Sequence, residues 1–151
     1  MTRFTLDSNI LVYAADGRDP VRRLAAIGIV EAAVPLDCML LPQALAEFFH
    51  VVVRKRILPQ EAAAAQVEDW MALFNIAPGP GPNALRTAVN AALSGRFQLF
   101  DALFLATAAE SGCTAAISED MAEGAALAGV RVVGAFDRAG GVSAAARGLL
   151  A

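Results

Sequence analysis

Apolar positions along this chain fall into short blocks separated by turn-forming residues. Phe4-Thr5-Leu6 is a compact β-favouring run that stops at Asp7-Ser8-Asn9, side chains that prefer turns and helix starts. Ile10-Leu11-Val12-Tyr13 then resumes the apolar pattern, so a buried strand should end at an acid with a helix or turn directly behind it. Ala14 to Pro20 reads as a loop whose Asp19-Pro20 supplies an N-cap and a first-turn proline. Val21 to Ala33 follows as a helix with Leu24, Ile27, Val30 and Val34 on one face. Leu36 to Leu41 is a second short strand, and Pro42 opens a helix reaching Val53, with Arg54-Lys55-Arg56 where cations suit the helix dipole.

The second half repeats the alternation. Leu58-Pro59-Gln60 starts a helix to Phe74 with Val67, Trp70, Met71 and Phe74 as its stripe, and Asn75 to Ala77 is a minor strand. The rigid Pro78-Gly79-Pro80-Gly81-Pro82 leads into a helix from Asn83 to Ser94. Leu99 to Ala109 is apolar almost all round, which marks a helix buried on most sides, and Gly112 closes it. Thr114 to Ile117 reads as a buried strand, Ser118-Glu119-Asp120 as the cap of a helix to Ala128, and Val130 to Val133 as a last strand. The tail from Gly134 carries no assignable pattern. Helices alternating with short buried strands predict an α/β domain around a parallel sheet, one domain over residues 1–151.

Composition narrows the class. Hydrophobic residues make up 57% of the chain, much of it alanine suited to tight helix packing. The longest apolar stretches, Leu24 to Leu36 and Leu99 to Ala109, fall short of the roughly 18 residues a membrane span needs and are broken by Glu31 and Asp101. Asp7 stands where a signal peptide needs an apolar core, so the expected location is cytoplasmic, away from membranes. Cys38 and Cys113 lie far apart with no histidine near, which suits reduced core residues and not a zinc site. A formal net charge of −3 gives no global attraction for a polyanion, so any such contact must be local.

Four carboxylates stand in apolar surroundings: Asp7 at the end of the first strand, Glu47 on an otherwise apolar helix, Asp101 in the first turns of the most hydrophobic helix, and Asp120 just after a buried strand. A buried unpaired carboxylate is costly and needs a cation, hydrogen bonds or a raised pKa. A hard divalent cation with oxygen ligands would satisfy several at once. Each also has a simpler reading. Asp7 and Asp120 could cap helices, and Asp101 could favour the helix dipole. Glu47 resists this, since it lies past the first turn with no cation four residues away. His50, the only histidine, reads as a helix-surface residue, and with no serine or cysteine nucleophile motif triad chemistry has little support. No glycine-rich phosphate loop is present.

At this point the residues resemble a known family. Phe4 to Tyr13 is similar to the first motif of PIN domains, and Pro42-Gln43-Ala44-Leu45-Ala46-Glu47-Phe48-Phe49 to their acid-bearing helix. Leu99-Phe100-Asp101-Ala102-Leu103 and Ile117-Ser118-Glu119-Asp120-Met121 resemble the third and fourth motifs, in the family's order. Serine replaces the more usual threonine at position 8, and the last block offers two adjacent acids, of which motif position favours Asp120. The size is most similar to VapC-like toxins. The resemblance implies a three-layer α/β/α sandwich with a central parallel sheet and a Mg2+- or Mn2+-dependent ribonuclease, commonly a homodimer held inactive by a cognate antitoxin. By motif position Asp7, Glu47, Asp101 and Asp120 would form the acidic pocket, Asp7 and Asp101 the metal ligands, and Asn9 and Ser118 their supports.

Two other classes compete. A catalytically weak domain of the same fold could serve to hold a partner protein, which the apolar composition favours. A receiver-like phosphoacceptor domain also gathers acids at strand ends, but it would want a lysine after a late strand, and Lys55 lies on an early helix.

Overall fold

The computed structural model describes residues 2–151. The chain runs β1 (Phe4–Leu6), α1 (Ser8–Ala15), α2 (Pro20–Ala33), β2 (Met39–Leu40), α3 (Pro42–Arg54), α4 (Gln60–Leu73) and β3 (Asn75–Ile76). It continues through α5 (Pro82–Leu93), α6 (Leu99–Glu110), β4 (Ala115–Ser118), β5 (Ala126–Leu127), β6 (Val130–Gly134) and α7 (Ala144–Leu150). β1, β4 and β6 are parallel neighbours, and β5 adds an antiparallel edge to β6. β2 and β3 pair in parallel, and a bridge from Phe4 to Cys38 carries them onto the free side of β1. The strands therefore run β3-β2-β1-β4-β6-β5, parallel except at one edge and flanked by helices as expected for the α/β/α class.

The centre of this sheet decides where a site can form. From β1 the chain moves outward to β2 and β3 on one side, then returns to place β4 and β6 on the other. The carboxyl ends of β1 and β4 thus face a topological switch point, where an open α/β sheet leaves a crevice. Leu6 pairs with Ile117, so Asp7 and Ser118 come next to each other, and the Asp7 amide donates to the Ile117 carbonyl at 2.9 Å.

One contiguous apolar cluster supports the strands, with Phe4, Leu6, Ile10, Leu11, Phe48 and Leu105 all buried. α1 packs on α2 and α3, α4 on α3, and α5 on α6. Cys38 and Cys113 are free thiols within this core, as their isolation predicts.

Three expectations need correction. The helix after Ser118 does not form: residues 119–125 make turns, and Ala126–Leu127 is instead the edge strand β5. Ser118 belongs to β4, and Gly124 takes φ +82°, which breaks the alanine-rich run before it can propagate a helix. Ala128 and Gly129 (φ 53° and 84°) close the β5–β6 hairpin with both central residues at positive φ, the type I′ geometry that fits the strand twist. The buried face of α2 is rotated from the expected one: Ala25, Ala26, Ile29, Val30 and Ala33 point inward, while Leu24 is 69% exposed. Three of these five are alanines, which a ranking by hydrophobicity alone places below Leu24. Finally, α1 runs to Ala15, past the start of the predicted loop, and the unassigned tail holds α7, capped by the Ser143 hydroxyl, which accepts from the Ala146 amide at 3.0 Å.

Candidate active site

Asp7 is the N-cap of α1. One carboxylate oxygen accepts from the Ser8 amide at 2.8 Å; the other accepts from the Ser118 hydroxyl at 2.7 Å and from Asn9 Nδ2 at 3.2 Å. The residue is only 8% exposed. Burial pushes its pKa up to about 6, against the bonds from Ser118 and Ser8 that lower it, with the charges of Glu47 and Asp101 adding to the rise. Desolvation here outweighs both the hydrogen bonds and a helix N-terminus that favours negative charge.

Glu47 reaches the same place from α3. Its Oε2 accepts from the Ser8 hydroxyl at 2.8 Å and its Oε1 from Gln43 Nε2 at 3.0 Å. Asp101, half-buried in the first turn of α6, has its pKa raised by burial and then by the charges of Asp120 and Glu47. Asp120 is exposed at the rim. Asp7, Glu47 and Asp101 therefore act on one another, and Asp120 acts on Asp101, although the four lie on different segments.

The supporting side chains do specific work. Asn9 donates to Ser118 Oγ at 3.3 Å as well as to Asp7, and its carbonyl oxygen accepts from the Glu119 amide at 3.2 Å. This fixes the loop after β4. Glu119 then turns away and accepts from the Tyr13 hydroxyl at 3.0 Å, while Asp120 is the acid whose charge Asp101 feels. Gln43 has no role in the sequence reading. In the structure its amide nitrogen donates both to Glu47 and to the Phe100 carbonyl at 3.1 Å, tying α3 to the turn that carries Asp101. The available signal was its position four residues before Glu47, on the same helical face. His50 is exposed and touches none of this.

No salt bridge among the described residues involves any of the four acids; the arginines pair instead with Asp37, Asp16 and Asp19. Among the described residues no three acidic, histidine or cysteine side chains converge tightly enough to make a ready-made metal site. Magnesium, however, takes one or two carboxylates and keeps several waters. An all-oxygen donor set, two carboxylates with raised pKa values and no cation bonded to them fit such an ion.

Fold and site together define a class: an α/β domain with clustered acids at the switch point of its sheet. A family model for the PIN domain matches residues 4–122, and the chain belongs to the PIN domain family. Among solved structures, the chain is similar to VapBC2 from Rickettsia felis bound to a promoter DNA fragment (TM-score 0.64, 13% identity, 88% of this chain and 98% of that one). It is similar also to DNA-bound VapBC from Salmonella typhimurium (0.63, 16%, 89% and 98%). A third likeness is to the sarcin-ricin loop cleaving toxin VapC20 of Mycobacterium tuberculosis (0.60, 14%, 75% and 86%). No curated protein matches the sequence. No helix among the described residues is long and apolar enough to cross a membrane.

Proposed function

We propose that this protein is a Mg2+- or Mn2+-dependent endoribonuclease, the toxin of a toxin–antitoxin pair. The observation that carries this reading is Asp7: a buried carboxylate at the switch point, held by three hydrogen bonds, facing other acids and lacking any cationic partner. Asp7 and Asp101 would hold the ion, with Asp120 at the open rim. A bound divalent ion supplies a lowered pKa for a coordinated water and charge stabilisation at the scissile phosphate. Glu47, fixed from both sides by Ser8 and Gln43, is placed to orient the attacking water and accept its proton. Asn9 and Ser118 hold Asp7 in its orientation, so little reorganisation accompanies the reaction.

Two apolar surfaces support protein partners. Leu85, Val89 and Leu93 recur every fourth residue along α5 and are 50%, 40% and 81% exposed, a stripe suited to a second copy of the chain. Between α3 and α4 lies a groove of 480 Å³ walled by Leu45, Phe49, Val67, Met71 and Ile76, suited to an apolar segment of an antitoxin. These surfaces also favour the second reading, a partner-holding domain of low turnover.

The test is cleavage of single-stranded RNA with added magnesium or manganese, comparing the wild type with Asp7→Asn and Asp101→Asn. Activity should vanish on chelation and fall by about a hundredfold or more in each variant. Cleavage that survives chelation, or is unchanged in both variants, defeats the nuclease reading. Absence of turnover with tight partner binding favours the second one.

A further inference from the structure

Beside the acids, α1 and the end of α3 enclose a second concavity of 390 Å³. Ser8, Asn9 and Asp120 line its inner end, so it opens directly onto the acidic site. Its outer end is lined by Arg18 and Lys55 together with Asp16, and its walls by Val12, Tyr13 and Val51. The volume lies within the range of small-ligand pockets. The chemistry changes along it, from the Asp120 carboxylate with neutral Ser8 and Asn9, through apolar walls, to an end where Arg18 and Lys55 outnumber the Asp16 carboxylate.

The cations are available. Lys55, the one lysine of the chain, is exposed at the C-cap of α3 and makes no salt bridge among the described residues. It follows Glu47 and Val51 at intervals of four, so it shares their face and lies about 12 Å along the helix from the proposed water-orienting acid. Arg18 is held by Asp16, donating from Nε at 2.9 Å and Nη2 at 2.8 Å. Five guanidinium donors are available in all, so three remain for another anion. Asp16 is thereby neutralised, and Lys55 is near enough to help keep its pKa low. The Tyr13 ring is fixed as well, edge-on to Phe136 at 5.3 Å with its hydroxyl on Glu119.

Resting on the nuclease reading, we propose that this groove is a subsite for the nucleotide next to the scissile phosphate of a single-stranded RNA. Lys55 and Arg18 hold the neighbouring phosphate, and Val12, Tyr13 and Val51 take the base. Phosphate contacts of this kind set register without reading sequence, and aromatic walls accept any base. The groove therefore fixes which bond lies over the acids.

The experiment measures binding of a fluorescein-labelled single-stranded oligoribonucleotide by anisotropy, in EDTA so that no cleavage intervenes, across a salt series. The proteins are wild type, Lys55→Ala, Lys55→Glu and Arg131→Ala, the last removing an exposed arginine that lines a different cavity. Lys55→Ala should weaken binding about fivefold at low salt and reduce the log–log salt slope by about one. Lys55→Glu should weaken it further, and Arg131→Ala should leave both unchanged. In cleavage with metal present, Lys55→Ala should raise KM while kcat holds.

Equal binding and slope in both Lys55 variants overturns the subsite, even if the wild type cleaves RNA. Loss of binding to a protein partner with RNA binding intact overturns it too, because the groove then receives a polypeptide. If the wild type cleaves nothing but Lys55 still controls RNA affinity and slope, the nuclease reading fails and the groove is a single-stranded RNA-binding site without a scissile bond beside it.

Discussion

Helix α1 has an aspartate at each end, and the two behave oppositely. Asp7 at its N-terminus is 8% exposed and Asp16 at its C-terminus 9%. The helix dipole favours a negative charge at the first and opposes it at the second. Yet the pKa of Asp7 is raised to about 6, chiefly by burial, while that of Asp16 is lowered, chiefly by its hydrogen bond to Arg18. Asp16 lies near the surface beneath its own arginine; Asp7 lies between the central strands with only neutral donors. Similar fractional exposure and the dipole thus do not separate the two; deep burial raises one and a guanidinium lowers the other. A guanidinium at 2.8 Å makes one site a finished structural ion pair, and its absence leaves the other with unspent affinity for a cation.

The sharpest way to break this contrast is at Asp7 itself. A carboxylate whose folded pKa is raised is held more tightly protonated in the native state than in the unfolded chain. Its contribution to stability is therefore fully present below about 3.8, the unfolded value, and is lost as pH rises through about 6. A shift of that size corresponds to about 3 kcal/mol at most. Metal-free Asp7→Asn should then flatten the pH dependence of unfolding between pH 4 and 6, relative to wild type. At neutral pH it should raise Tm by about 3 °C, less than the full shift implies because the amide nitrogen that replaces Oδ2 cannot accept from Ser118 and Asn9. Divalent metal should stabilise the wild type and not the variant. An Asp7→Asn profile that runs parallel to the wild type's between pH 4 and 6 without metal contradicts the account.

A smaller effect is expected at Gln43, which supports the site without belonging to it. Gln43→Ala should lower kcat about tenfold with little change in KM, since Glu47 loses one of its two hydrogen bonds. Steady-state kinetics with RNA check this, and Gln43→Glu, which sets like charges together, should be worse.

At the other end of α1, Arg18→Ala should return the Asp16 pKa toward the ordinary aspartate range, read by NMR titration. If Asp16 stays low without the guanidinium, the pairing is not what separates the two acids. The smallest effect lies outside the comparison. Ala128 holds φ 53°, a conformation asparagine tolerates better, so Ala128→Asn before Gly129 should raise Tm by about 2 °C.

Much of this was legible from local pattern. Asp19-Pro20 marks the start of α2, Phe4 to Asp7 marks a strand ending at an acid, and the four acid-bearing motifs mark the family. These signals depend on neighbours in sequence, where capping and backbone preference act. The predicted helix at 118–128 failed for the opposite reason. Its alanines favour helix, but the free edge of β6 offered pairing and Gly124 supplied a turn. The inward face of α2 failed likewise, because which face a helix buries is a property of the pair.

The sequence by itself determined that strands and helices would alternate, that Asp7 would follow a buried strand, and that four acids would stand in apolar stretches. Only the tertiary structure decided that Asp7 meets Ser118, that Glu47 is gripped by Ser8 and Gln43, that Glu119 is spent on Tyr13, and that Lys55 borders the same groove as Asp120. The physical reason is range. Helix caps and strand runs are fixed by interactions over a few residues, whereas desolvation and the pairing of charges depend on everything that packs around a side chain, however distant in sequence.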